Sequence, residues 1–205
     1  MAFSLSRNEP IRAIMLKLQE DLFGSVSFVE TGTRHGSGVT WASINGFYPC
    51  YTIDILDREP KGQFLDHIRD GGIFYHIGNS PNVLRGLIEW IDDPAIFWLD
   101  AHGPKDVGTP VLEEIEIILD WGKQAFIFID DISIFSRGRF YDPRYSSWPK
   151  IEEVYKALGD RPSLERADVL VSFPRVYKGS LADYAEMTKG IMWFVDKELG
   201  GKCLR

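Results

Sequence analysis

The sequence predicts a doubly wound α/β domain on a mostly parallel, seven-stranded sheet with an antiparallel final strand. Strand-like and helix-like segments alternate almost throughout, which implies parallel strands joined by right-handed crossovers. Several strand segments are apolar at every position, as in a sheet covered on both faces. Acids and glycines collect where those segments end, the rim at which open α/β sheets hold ligands.

Taken in order, Ile11, Ile14, Met15, Leu18 and Leu22 fall at helical spacing, with Pro10 suited to the first turn and Gly24 to the stop. Ser27–Glu30 is a short strand running into a glycine-rich turn, and residues 37–45 form a helix stopped by Gly46. Cys50–Asp54 is the second strand, Phe64, Leu65 and Ile68 mark a short helix, and Ile73–Ile77 is the third strand. Pro81 opens a helix with Val83, Leu84, Leu87, Ile88 and Ile91 on its apolar face, and Ile96–Leu99 is the fourth strand. Thr109 reads as a cap and Pro110 as the first position of a helix whose buried stripe is Leu112, Ile115, Ile118 and Leu119. Glu113, Glu114 and Glu116 read as its first turn and solvated face. Phe126–Ile129 is the fifth strand, and a helix near 149–158 follows a loop rich in arginine and aromatics. Val169–Phe173 and Ile191–Val195 are the last two strands, expected as antiparallel neighbours, with Trp193 and Phe194 in the core.

Length and composition narrow the classes. The 205 residues fit one domain, 1–205, better than two. A hydrophobic fraction of 44% and a charged fraction of 26% are an ordinary globular balance. With a net charge of −7, the surface repels phosphate backbones, which argues against nucleic acid as a general partner. Two cysteines, Cys50 and Cys203, make no disulfide framework. Cys50, at a strand start, reads as a packing residue. No apolar run approaches the roughly 20 residues of a membrane span, and Met1–Pro10 lacks a signal-peptide pattern. A cytoplasmic protein with no membrane partner is the expectation.

The first strand-to-helix turn runs Glu30-Thr31-Gly32-Thr33-Arg34-His35-Gly36-Ser37-Gly38. Its spacing, Gly-x-x-x-Gly-x-Gly, departs from the Gly-x-Gly-x-x-Gly of dinucleotide sites and argues against a nucleotide-dependent oxidoreductase. An acid at this turn would repel a pyrophosphate. S-Adenosylmethionine carries an ammonium, a carboxylate and a sulfonium but no phosphate. Glu30 can stabilise such a cation through space or water, and Asp54, ending the second strand, can accept both ribose hydroxyls.

Val29-Glu30-Thr31-Gly32 with Gly36 resembles motif I of the class I S-adenosylmethionine-dependent methyltransferases, and Asp54 matches their acid at the end of the second strand. Gly78-Asn79-Ser80 resembles the Gly-Asp-Ser of small-molecule O-methyltransferases, with asparagine in place of the acid. Phe97–Gly103 and Phe128–Asp131 are similar to the macrocin O-methyltransferase group, although their N-terminal lid region has no match here. The resemblance covers roughly residues 27–131. It implies a Rossmann-like methyltransferase fold and a cofactor site of Glu30, Thr31, Gly32, Gly36, Ser37, Asp54, Asn79, Ser80 and Asp100.

Asp100 ends the fourth strand, and Asp130 and Asp131 end the fifth. On adjacent parallel strands these carboxylates meet at one rim and repel, which a hard dication such as Mg²⁺ would relieve. The resemblance implies that a metal on Asp100, Asp130 and Asp131 would bind an acceptor hydroxyl and lower its pKa. His102 is a candidate general base or further metal ligand, and Asp100 belongs with it in the catalytic set. Lys105 is a weaker base candidate, His35 is a candidate for the lining of the cofactor site, and His67 and His76 carry no functional case. The loop with Phe135, Arg137, Arg139, Phe140, Tyr141, Arg144, Tyr145 and Trp148 either covers the acceptor or forms an irregular subdomain or homodimer contact. The expected activity is metal-assisted O-methylation of a small-molecule hydroxyl. The alternatives are a metal-dependent hydrolase using Asp100, His102, Asp130 and Asp131, and a non-catalytic protein that binds S-adenosylmethionine.

Overall fold

A computed structural model of the chain describes residues 5–22, 24–102, 108–138, 142–175, 190, 197 and 202–204. Helices α1 (Glu9–Asp21), α2 (Ser37–Ile44), α3 (Gly62–Arg69), α4 (Ser80–Leu87), α5 (Val111–Asp120) and α6 (Ile151–Leu158) alternate with strands through most of the chain. The strands are β1 (Ser27–Thr31), β2 (Cys50–Asp54), β3 (Ile73–Ile77), β4 (Ala95–Leu99), β5 (Ala125–Ile129), β6 (Ser163–Arg166), β7 (Val169–Ser172) and β8 (Lys202–Leu204). Their order in the sheet is β3-β2-β1-β4-β5-β7-β6-β8. The first five are mutually parallel, and β7, β6 and β8 run antiparallel to their neighbours. The expected mostly parallel sheet with antiparallel strands at its end is present, seven of its strands in the order 3-2-1-4-5-7-6, and β8 adds a short eighth strand.

Strand alternation sorts the core into two layers. Phe28, Ile96, Trp98, Phe126 and Phe128 face α1 and α2, packing on Ile11, Ile14, Leu18, Val39 and Trp41. Val29, Ile53, Phe97, Leu99 and Ile127 face the opposite way, against Leu84, Ile115, Ile118, Val154 and Leu158 of α4, α5 and α6. β1, β2, β4 and β5 are buried at every position. β3 sits at the sheet edge, so Phe74 and Ile77 remain 41% and 52% exposed.

The structure corrects four expectations. Thr109 does not cap α5: Pro110 occupies the cap position, and the Thr109 hydroxyl donates to the Ala101 carbonyl at 2.8 Å. Val111 and Ile117 are buried on α5, while Leu112 and Leu119 are only partly covered. Glu114, expected in solvent, is 1% exposed, because α5 packs against α4 and turns that position inward. β6 was not expected, since Ser163–Arg166 offers one apolar residue, Leu164. It forms by pairing back on β7 across a turn at Ala167 and Asp168, both with positive φ. Residues 191–195, with Trp193 and Phe194, lie outside the described residues.

Candidate active site at the carboxyl rim of the sheet

Register fixes the rim. Thr31 is level with Leu99, and Leu99 with Ile129, so Asp100 and Asp130 leave the sheet side by side. Asp100 N–H still donates to the Thr31 carbonyl, and Asp130 N–H to that of Leu99, both at 3.1 Å. β2 ends at the same rim, with Asp54 level with Ile77 of β3.

The glycine turn is built by close approach. Gly32 has φ +88°, and a Cβ there would overlap the Asp100 backbone. Gly38 has no room either, because a Cβ would overlap Glu30 Oε1. Glu30 therefore lies under the first turn of α2, 4% exposed, where the Thr52 hydroxyl donates to Oε2 at 2.8 Å. That commits the single Thr52 proton, so Thr33 must donate across the 2.7 Å Thr33–Thr52 contact. Burial pushes the Glu30 carboxyl up to about 8, against the Thr52 and Val39 hydrogen bonds that lower it. Asp54 accepts the Arg34 N–H at 2.7 Å on Oδ2 and the Leu56 N–H at 2.9 Å on Oδ1. Beside it Ile55 and Leu56 stand 54% and 48% exposed, an apolar pair that the sequence reading passed over. Asn79 is exposed at the start of α4 and makes no side-chain cap hydrogen bond; Ser80 is buried behind it. Gly36, in the left-handed region, precedes α2, and Ser37 is exposed.

On the other half of the rim, ligand atoms of Asp100, His102 and Asp131 all lie within 4.8 Å of one another. Asp130 lines the same recess, and its Oδ1 accepts the Asp131 N–H at 2.9 Å. Asp131 holds φ +58°, a left-handed conformation that Asp tolerates better than most residues. The segment after it is pinned by the β6–β7 turn: Asp168 accepts from Ser133 N–H at 2.7 Å and from its hydroxyl at 2.9 Å. Burial, then the neighbouring carboxylates, push Asp100 and Asp130 well above the usual carboxylate range. Asp131 is raised by burial and then by Asp168, and His102 opposes this.

The recess measures about 230 Å³ counted to its open mouth, with enclosed room for about one water. Asp100, His102, Asp130, Asp131, Glu114 and Trp148 are among its walls. Trp148 is buried against Phe135 at 4.9 Å and Tyr145 at 5.3 Å between ring centroids, and its ring lies 6.0 Å from that of His102. The loop after β5 thus folds back over the acids. The side chains of Arg137, Arg139, Phe140, Tyr141 and Arg144, and the whole of Lys105, lie outside the described residues. His35 is exposed away from any described hydrogen bond, His67 Nδ1 meets the Ser43 hydroxyl at 2.9 Å, and burial lowers His76. Cys50 is a packing residue: buried, with its thiol pushed up to about 12 by burial.

Glu114 is the residue that sequence patterning misplaced. Burial pushes its carboxyl up to about 7; the Ser80 and Thr31 hydroxyls lie close enough to oppose that rise. Among the described residues, neither Glu114 oxygen nor the Thr31 hydroxyl makes a hydrogen bond of good geometry. The donor set of clustered carboxylates with one imidazole, and an orphaned buried acid beside it, fit a dication. Asp54, whose oxygens keep lone pairs beyond two backbone contacts, and the acid beneath the glycine turn fit the ribose hydroxyls and cationic centre of S-adenosylmethionine.

The sheet order with its antiparallel β7 defines the class I methyltransferase fold. Solved structures share it at low identity. An O-methyltransferase from Bacillus cereus in complex with S-adenosylhomocysteine is 16% identical over 80% of this chain and 81% of that one, with a TM-score of 0.53. A putative O-methyltransferase from Klebsiella pneumoniae is 14% identical over 80% of each chain, with a TM-score of 0.51. A TDP-rhamnose 3′-O-methyltransferase of calicheamicin biosynthesis is 15% identical over 82% of this chain and 80% of that one, with a TM-score of 0.50. No protein-family model matches the chain, and no curated protein matches it.

Proposed function

We propose that the chain is an S-adenosylmethionine-dependent O-methyltransferase that uses a divalent cation, Mg²⁺ or a similar ion, to methylate a hydroxyl of a small molecule. The observation that carries this reading is the Asp100–His102–Asp131 cluster, within 4.8 Å, in which Asp100 directly follows the strand whose end the glycine turn packs on. The donor supplies a methyl carbon on a positive sulfur, and the cation polarises the acceptor oxygen.

The chain's own residues supply the rest. Asp54 has lone pairs left for ribose hydroxyls after accepting two backbone N–H groups, and Ile55 and Leu56 offer an apolar face beside it. Glu30, buried beneath the turn, favours a cationic ligand through space, and such a ligand draws its carboxyl toward ionisation. Asp100 and Asp131 of that cluster, with Asp130 beside them in the same recess, would hold the dication. His102, exposed at the mouth beside them, receives the proton that the acceptor hydroxyl loses as the new O–C bond forms and the S–C bond breaks. Trp148 and Phe135 wall the recess on the side of the loop that follows β5.

Calorimetric titration with S-adenosylhomocysteine, with and without Mg²⁺, tests the reading. Micromolar binding that changes with Mg²⁺ is the expected result. Cation binding without any affinity for S-adenosylhomocysteine would overturn it in favour of a metal-dependent hydrolase.

A further inference from the structure

Glu114 has no role in the scheme above, yet it is the most confined acid on the wall of the recess. It is 1% exposed, and neither of its oxygens makes a hydrogen bond of good geometry among the described residues, although the Ser80 and Thr31 hydroxyls lie close. Its neighbours on α5 behave differently: Glu113 is exposed and pairs with Arg85 at 2.6 Å, and Glu116 is exposed. An acid buried in this way destabilises the fold when charged, relative to an apolar residue of similar size, or is held neutral. Its position is equally specific. It lies between the Thr31 and Ser80 hydroxyls on the donor side and the recess that Asp100, Asp130 and Asp131 share.

We infer that Glu114 belongs to the cation-binding set: its carboxylate accepts hydrogen bonds from the hydration shell of the dication held by Asp100, Asp130 and Asp131. This rests on the metal-assisted reading and extends it to a residue of the helix behind the rim. A hard dication such as Mg²⁺ keeps several waters, and those waters need acceptors in a recess whose walls include the apolar Leu99, Val111 and Phe135. Carboxylates beyond the direct ligands commonly govern affinity in this way. Both orphaned oxygens are then satisfied, and the buried charge is offset by the cation.

The opposing account makes Glu114 a neutral acid that only holds α5 against Ser80 and Thr31. Titration of Mg²⁺ and Mn²⁺ into the wild type, Glu114→Gln and Glu116→Gln separates the two. Gln keeps the shape and the hydrogen-bonding capacity of the neutral acid, and Glu116→Gln makes the same charge change on the exposed face of the same helix. Glu114→Gln is expected to weaken cation binding roughly 10- to 100-fold. Glu116→Gln is expected to leave it unchanged, and both variants to keep S-adenosylhomocysteine affinity and, at about pH 5 where Glu114 is protonated, cation-free thermal stability. Unchanged cation affinity in Glu114→Gln overturns the inference alone. A wild type that binds neither ion overturns the metal-assisted reading and this inference with it. If Glu114→Gln does not fold, Glu114→Asp takes its place, since withdrawing the carboxylate by one methylene must also weaken cation binding.

Discussion

Glu30 and Gly38 form a couple in which each residue dictates the other. The acid occupies the space that a side chain at position 38 would need, and the missing Cβ lets α2 start directly above it. Gly38→Ala is expected to destabilise the fold by about 1–3 kcal/mol in chemical denaturation through overpacking. The double variant Glu30→Ala with Gly38→Ala should lose less than the sum of the two single changes, because the new methyl fills part of the space the acid leaves. Strict additivity would mean that the two side chains do not meet. The candidate acids Glu30, Asp54, Asp100, Asp130 and Asp131 were legible from the sequence because strand ends in this architecture are the rim. Glu114 was not. Its neighbours at 113 and 116 follow the polar pattern of an exposed face, and only the approach of α4 to α5 turns position 114 inward.

At the scale of elements, the loop between β5 and α6 carries the least regular pattern and closes the site. Its described aromatics, Phe135, Tyr145 and Trp148, pack on one another and reach His102. These contacts bring Trp148 to the rim, beside the acids of the recess. Trp148→Ala is expected to cost about 3 kcal/mol of stability by denaturant unfolding, as for other large buried aromatics. A loss well under 1 kcal/mol would place the aromatic cluster outside the cooperative core. The β6–β7 turn acts in the same region, since Asp168 pins Ser133 two residues beyond Asp131. Nothing in Ser163–Arg166 announces a strand, because its stability comes from pairing on both sides rather than from an apolar pattern.

For the whole molecule, the buried acids set a pH dependence. Glu30 and Glu114 have folded-state values of about 8 and about 7, above their ordinary 4.5. The folded chain therefore holds protons that the unfolded chain has released, and stability falls as pH rises from about 4.5 to 8. The melting temperature without ligands or cation should drop by roughly 4–8 °C between pH 5 and pH 8.5, equivalent to about 2 kcal/mol. Glu30→Gln should flatten that slope, and an unchanged profile would remove Glu30 as its source. Among the described residues, no helix is long and apolar enough to cross a membrane. The sequence by itself determined the alternation of strands and helices, the parallel half of the sheet and the acids at its rim, because periodicity and turn chemistry are local properties. Only the tertiary structure decided which of those acids meet, that His102 joins Asp100 and Asp131, that Trp148 closes over them and that Glu114 is buried behind. Those facts depend on strand register and helix packing between segments far apart in the chain, where no local pattern carries the information.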